Sequence, residues 1–147
     1  MNKCPLDGGF IGEAGCTHPN HQHSELVEKL LSAKEPVFVD VRDADAALKE
    51  GFYVKNPEGN RVGFGKKLLD HLNNDHHLKS GADARKQRLM FAVKAVTNPD
   101  KTDKNHRGFE GRTLYAKAFV SFGMVVITER GSNIIEYAFT IIPKPLQ

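Results

Sequence analysis

The stretch whose reading decides the fold is Arg112–Pro143, RTLYAKAFVSFGMVVITERGSNIIEYAFTIIP. Three runs rich in β-branched and aromatic residues are separated by Ser121–Gly123 and by Arg130–Asn133, the pattern of a three-stranded antiparallel meander. Side chains along a strand alternate between its faces. On the first strand Leu114, Ala116, Ala118 and Val120 share one side, and Thr113, Tyr115, Lys117 and Phe119 the other. On the last, Ile135, Tyr137, Phe139 and Ile141 read as the core side, with Ile134, Glu136, Ala138 and Thr140 opposite. Tyr115, Lys117, Glu136 and Thr140 are therefore expected together on an open face. The middle strand, Met124–Glu129, is apolar on both sides as far as Thr128, as a central strand should be.

Upstream of this sheet, Leu68, Leu69 and Leu72 recur at helical spacing between about Phe64 and Asn74, so Lys67 and His71, four apart, share a side of that helix. The run Asn73-Asn74-Asp75 weakens it and leaves His76 and His77 at a frayed end. Asp83 offers an N-cap for a second helix reaching Thr97, with Leu89, Ala92, Val93 and Val96 inward and Arg85 and Arg88 nearly a turn apart. Asn98-Pro99-Asp100 stops it, and the polar KTDKNHRGFEG that follows reads as a mobile loop.

Further towards the N-terminus, Ser24 can cap a short amphipathic helix, SELVEKLLSAK, and Val37–Val41 (VFVDV) alternates as a strand. Asp43 then caps a brief helix that Gly51 stops. Phe52–Gly65 is punctuated by Asn56-Pro57, Gly59, Gly63 and Gly65, a loop or ragged hairpin. Neither a GxGxxG fingerprint nor a P-loop is present, which argues against a dinucleotide or NTP site. The expected class is α+β: N-terminal helices packed on a C-terminal antiparallel sheet, a three-stranded meander with a possible extra strand. Residues 1–62 are expected to form a leader and a small α/β extension, and residues 63–147 the main α+β domain.

With 147 residues the chain is long enough to bury a real core. No apolar run approaches the roughly 20 residues of a membrane helix, and the start MNKCPLDGGFIGEAGC lacks the apolar segment of a secretory signal. The expected location is cytoplasmic, or a target cell into which the chain is delivered. Charge is unevenly distributed: residues 1–60 hold 6 Lys/Arg and 10 Asp/Glu, whereas residues 61–147 hold 15 and 8. The basic half is the half with the sheet, and a concentrated positive field attracts polyanions, nucleic acid first among them.

Residues 1–23 contain both cysteines, Cys4 and Cys16, with His18, His21 and His23. Cys4, Cys16 and two of the histidines, such as His18 and His21, would supply a tetrahedral zinc site. The spacing lacks a C-x-x-C pair, so a leader with free thiols stays open beside the zinc reading; otherwise no cofactor is expected. A Cys4–Cys16 disulfide would need an oxidising compartment.

A His-bearing helix, an Arg-bearing helix ending in Asn98-Pro99-Asp100, a Tyr115-x-Lys117 strand, the Val125–Thr128 strand VVIT and a last strand with Phe139-Thr140 together resemble the barnase, EndoU, colicin and RelE nuclease superfamily. The phage-associated toxin domains of that group are the nearest in pattern, over about Gly63–Pro143. The resemblance implies helices on an antiparallel sheet, RNA cleavage without a metal, and toxins that occur with an immunity or antitoxin protein.

Such cleavage uses the substrate's 2′-hydroxyl as nucleophile and needs an acid, a base and cations for the added phosphate charge. Histidine suits proton transfer because imidazole ordinarily titrates near pH 6.5. His71 is the first candidate, with His76 or His77 next. Lys117, Arg85 and Arg88 would hold the phosphate, helped by Lys67 and Arg112. Tyr115 and Thr140 would donate hydrogen bonds, and Glu136 would be a base or an ion-pair partner of Lys117. The expected function is a ribonuclease toxin domain acting on RNA; the alternatives are a non-catalytic nucleic-acid-binding or phage structural module and a zinc-stabilised interaction module.

Overall fold

A computed structural model of the chain describes residues 25–74, 81–105, 108, 111–131 and 136–145. Helix α1 spans Glu25–Ser32 and buries Val27 and Leu30. Helix α2 spans Val41–Glu50, beginning where the Asp40 side chain accepts the Arg42 amide at 2.8 Å and ending at Gly51, whose φ of 81° suits a residue without Cβ. The expected strand at Val37–Val41 does not form. Asp40 is taken up as the cap, Val41 starts the helix, and the Val39 amide bonds the Gln87 carbonyl at 2.9 Å.

Strands β1 (Phe52–Lys55) and β2 (Arg61–Phe64) make an antiparallel hairpin. Asn56 closes its turn, its Oδ1 accepting the amides of Glu58 and Asn60 at 3.0 and 2.9 Å. Helix α3 (Lys66–Asn74) buries Leu68, Leu69 and Leu72. Each such burial stabilises by about 1.5–3 kcal/mol, which is what holds so short a helix in place. The single helix expected at Asp83–Thr97 is two: α4 (Ala82–Lys86) and α5 (Leu89–Thr97), broken at Gln87-Arg88. The break lets Lys86 turn inward to meet Asp45 of α2 at 3.0 Å, while Arg88 turns towards Phe38 and Phe122.

The segment expected as a mobile loop begins with strand β3 (Lys101–Lys104), all four residues exposed. Its polarity hid it, and it is the composition that protects a sheet edge from pairing with another chain. Strands β4 (Arg112–Ala118), β5 (Phe122–Arg130) and β6 (Glu136–Pro145) complete an open six-stranded sheet of order β1-β2-β6-β5-β4-β3. The expected three-stranded meander is thereby corrected. β4, β5 and β6 are neighbours, but β3 adds to one edge and the β1–β2 hairpin to the other, and β2 pairs with β6 in parallel, so the sheet is mixed.

One irregularity decides which side chains share a face. Ile127 pairs with Thr140 but Thr128 with Ala138, so Phe139 is an extra residue at a bulge. The strict alternation expected along the last strand therefore fails at this point. Glu136 and Ala138 fall on the face of Thr128 and Tyr115, as does Ile141 beyond the bulge, and Tyr137 falls on the face of Glu129. That first face carries the core, with Phe52, Phe64, Met124, Val126 and Ile141 fully buried and α5 lying on β4 and β5. On the second face Leu114, Ala116, Val125 and Ile127 are only half-buried, and α3 runs along β6. No described helix is long and apolar enough to cross a membrane.

Candidate functional site

The half-buried face holds a charged row. Strand pairing sets Arg112 opposite Glu129 and Glu129 opposite Tyr137, so three adjacent strands contribute one residue each. Helix α3 starts two residues after β2, which itself pairs with β6 at Tyr137, and this places Lys67 over the row. The Lys67 ammonium donates to Glu129 Oε2 at 2.9 Å and to the Tyr137 hydroxyl at 3.0 Å. The Arg112 guanidinium reaches the other carboxylate oxygen at 3.3 Å. One turn further along α3, His71 packs edge-on against Phe139, ring centres 5.4 Å apart, and the Arg112 guanidinium lies 5.0 Å from the centre of that same ring. Cation and imidazole are thus positioned by one aromatic side chain, the bulge residue of β6.

The electrostatics follow. The hydrogen bond from Lys67, opposed by partial burial and reinforced by the positive charges of Lys67 and Arg112, holds the Glu129 carboxyl below its ordinary 4.5. Burial alone would lower Lys67, but its hydrogen bonds to Tyr137 and Glu129 outweigh this and raise it above 10.5. At neutral pH the cluster therefore presents an ionised carboxylate between two cations. Lys67 and Glu129 both remain solvent-accessible, at 44% and 27% of their side-chain surface, so an incoming anion can compete for the lysine.

The other candidate residues are dispersed. Tyr115 and Glu136 do meet, but inside the molecule: they are 1% and 8% exposed, so the expected open face is a buried one. The Tyr115 hydroxyl bridges both Glu136 oxygens at 2.9 and 2.8 Å; Thr128 and Asn56 also donate to that carboxylate, and Asn56 donates to the Tyr115 oxygen at 3.0 Å. Burial pushes the Tyr115 hydroxyl far above its ordinary 10.0. This is a satisfied internal network tying the β1–β2 turn to the sheet. Thr140 is buried at 5%. Lys117 pairs with Asp100 at 3.5 Å, well along β4 from Arg112, and Asp100, also accepting the Ala118 amide at 2.8 Å, is held below its ordinary 3.8 first by that amide. Arg85 is buried at 2% and Arg88 is stacked between phenylalanines. His76, Cys4, Cys16, His18 and His21 lie outside the described residues. Among those described, no three His, Cys, Asp or Glu side chains cluster in a way that could hold a metal ion.

Of the expected residues, the structure therefore brings together Lys67, His71 and Arg112, and adds three that sequence reasoning missed: Glu129, Tyr137 and Phe139. Glu129 had a visible signal, a charge continuing the alternation of Val125 and Ile127. Tyr137 and Phe139 had none, because the bulge displaces the alternation that assigned them to the core. Comparison with protein families, with curated proteins and with solved structures finds no match to this chain.

Proposed function

We propose that Lys67, His71, Arg112 and Glu129 form the site of an endoribonuclease that works by general acid–base catalysis. The observation that carries this reading is the Glu129 carboxylate held between Lys67 and Arg112, with His71 and Arg112 packed on the same Phe139 ring. A scissile phosphate would replace the carboxylate as the partner of the two cations. Released from them, Glu129 becomes more basic and takes the proton of the 2′-hydroxyl. The 2′-oxygen attacks phosphorus, the bond to the 5′-oxygen breaks, and His71 as imidazolium protonates that leaving oxygen. The products are a 2′,3′-cyclic phosphate and a 5′-hydroxyl, with both protons accounted for. Lys67 and Arg112 stabilise the charge gathered on the non-bridging oxygens, and Arg112 is the better fork for them.

The test is incubation of purified protein with single-stranded RNA in the presence of chelator, with end-group mapping of the products. Fragments ending in 2′,3′-cyclic phosphate that disappear with Glu129→Gln and His71→Ala are expected. Intact RNA, or cleavage that neither substitution reduces, overturns the reading.

A further inference from the structure

At the turn between β4 and β5, at the opposite end of these strands from Glu129, the core ends in a cluster of phenylalanines that is left unsealed. Phe91 of α5 lies 5.0 Å from Phe119, edge-on, and 4.9 Å from Phe122. Phe38, from the segment between α1 and α2, closes on Phe91 at 5.1 Å and on Phe122 at 6.1 Å. Yet Phe38 remains 55% exposed. The Val39 amide, bonded to Gln87 at 2.9 Å, pins its segment in place, so the ring is presented without further ordering of the chain. The Arg88 guanidinium stacks on this cluster, 5.0 Å from the centre of Phe38 and 5.1 Å from that of Phe122. It donates to the Ala84 carbonyl of its own turn at 2.7 Å, and among the described residues no carboxylate pairs with it.

Between Phe38, Phe91, Phe119 and Phe122 opens a cleft of about 280 Å³ with Lys94 and Lys117 on its wall. Glu35 is its one acidic lining residue. A volume just under the roughly 300–1,000 Å³ of sites for drug-sized ligands suits a single planar ring system and is too small for a peptide helix. Rings left open beside an arginine and two lysines match a planar group that carries phosphate on either side.

We propose that this cleft docks an unpaired base of single-stranded RNA, stacked on Phe38, with one flanking phosphate on Lys94 and the other on Lys117, where it takes the place of the exposed Asp100 carboxylate at 3.5 Å. The polymer is the one assigned to the cleavage site, but the stacking geometry is independent of that reading and lies on the other face of the sheet. Every base has a π-face, so this docking tolerates sequence and selects single strands over duplexes, whose bases are already stacked.

The experiment measures fluorescence anisotropy of the full chain with a labelled oligoribonucleotide whose 2′-oxygens are all methylated. Such a probe cannot be cleaved by 2′-attack, so failure of the cleavage reading leaves this measurement unaffected. Phe38→Ala is expected to weaken single-strand binding about 5- to 160-fold, the range of base-on-aromatic stacking, while Phe38→Trp retains it. Lys94→Glu weakens it as well, and the affinity for a duplex of the same sequence is independent of Phe38. Phe38 is half exposed, so its loss leaves the fold intact, which circular dichroism checks. Two results overturn the proposal: single-strand affinity of Phe38→Ala within about twofold of the unaltered chain, or a Phe38→Ala protein that changes from dimer to monomer with its RNA affinity unchanged, which makes the patch a contact between copies.

Discussion

Lys67 on α3 and Glu129 on β5 meet at 2.9 Å although 62 positions separate them in the chain. Arg112 holds the second oxygen of the same carboxylate, so two cations from different elements converge on one acid. The cluster is partly open to solvent, which limits what it adds to stability and leaves it accessible to a phosphate.

Replacing Glu129 by Gln keeps the shape and removes the charge. If Glu129 is the base, the rate of RNA cleavage falls by about 10²–10⁴-fold, the usual worth of a positioned proton-transfer group. Single-turnover assays measure the fall, and a thermal unfolding curve that stays cooperative and shifts only slightly shows that chemistry rather than folding is lost.

His71→Ala separates the acid from the base. Cleavage of ordinary RNA falls steeply, but a uridine 3′-phosphodiester whose leaving group is p-nitrophenol, which departs without protonation, loses far less. An equal loss on both substrates would assign His71 to binding instead.

The pH dependence of stability has a definite sign at this pair. Glu129 is depressed below 4.5, so its contribution is complete above that value and is lost as pH falls through the lower folded value. Lys67 is raised above 10.5, so its contribution is complete below that value and is lost as pH rises through the higher folded value. Denaturant midpoints across pH should therefore show a small acid-side loss of stability that Glu129→Gln removes and Lys67→Met reduces.

The buried network predicts stability effects without catalytic ones. Tyr115→Phe deletes the hydroxyl shared by Glu136 and Asn56 and should cost about 1.5–3 kcal/mol, as hydrogen bonds to charged groups do. For a chain of this size that lowers the melting temperature by roughly 2–4 °C per kcal/mol. Calorimetry reads the change, while cleavage by the folded fraction stays the same.

Lys67 and Arg112, if they hold phosphate, also set the salt dependence. Changing either to Gln should reduce the slope of log affinity against log salt by about 0.7 for single-stranded RNA. Lys104 of β3, exposed and paired with Glu58 of the β1–β2 turn, serves as the control and should change the slope less.

Much of the local structure was legible in the residues themselves. The leucine stripe of α3, the three apolar strands of Arg112–Pro143 and the pairing of Lys67 with His71 on one helix side follow from periodicities of 3.6 and 2, which the backbone imposes on any chain. β3 and the β1–β2 hairpin were harder to read: the first is a charged edge strand, and the second breaks its pattern with Asn56-Pro57 and Gly63. Their places at the sheet edges depend on pairings with β4 and β6, far off in sequence, that no local pattern encodes.

The candidate site was decided by one residue of register. Composition alone determined that the C-terminal half is basic and carries histidine, arginine and tyrosine near a sheet. The unbroken β4–β5 register sets Tyr115 and the Arg112–Glu129 pair on opposite faces, and the bulge opposite Ile127/Thr128, which inserts Phe139, then carries Glu136 inward to Tyr115 and turns Tyr137 out to Glu129. A side-chain period of 2 makes a strand's two faces interchangeable by a single-residue slip. The tertiary structure settles that choice by satisfying Glu136 with Tyr115, Thr128 and Asn56 inside the core, and it leaves Glu129 to meet Lys67 and Arg112 at the surface.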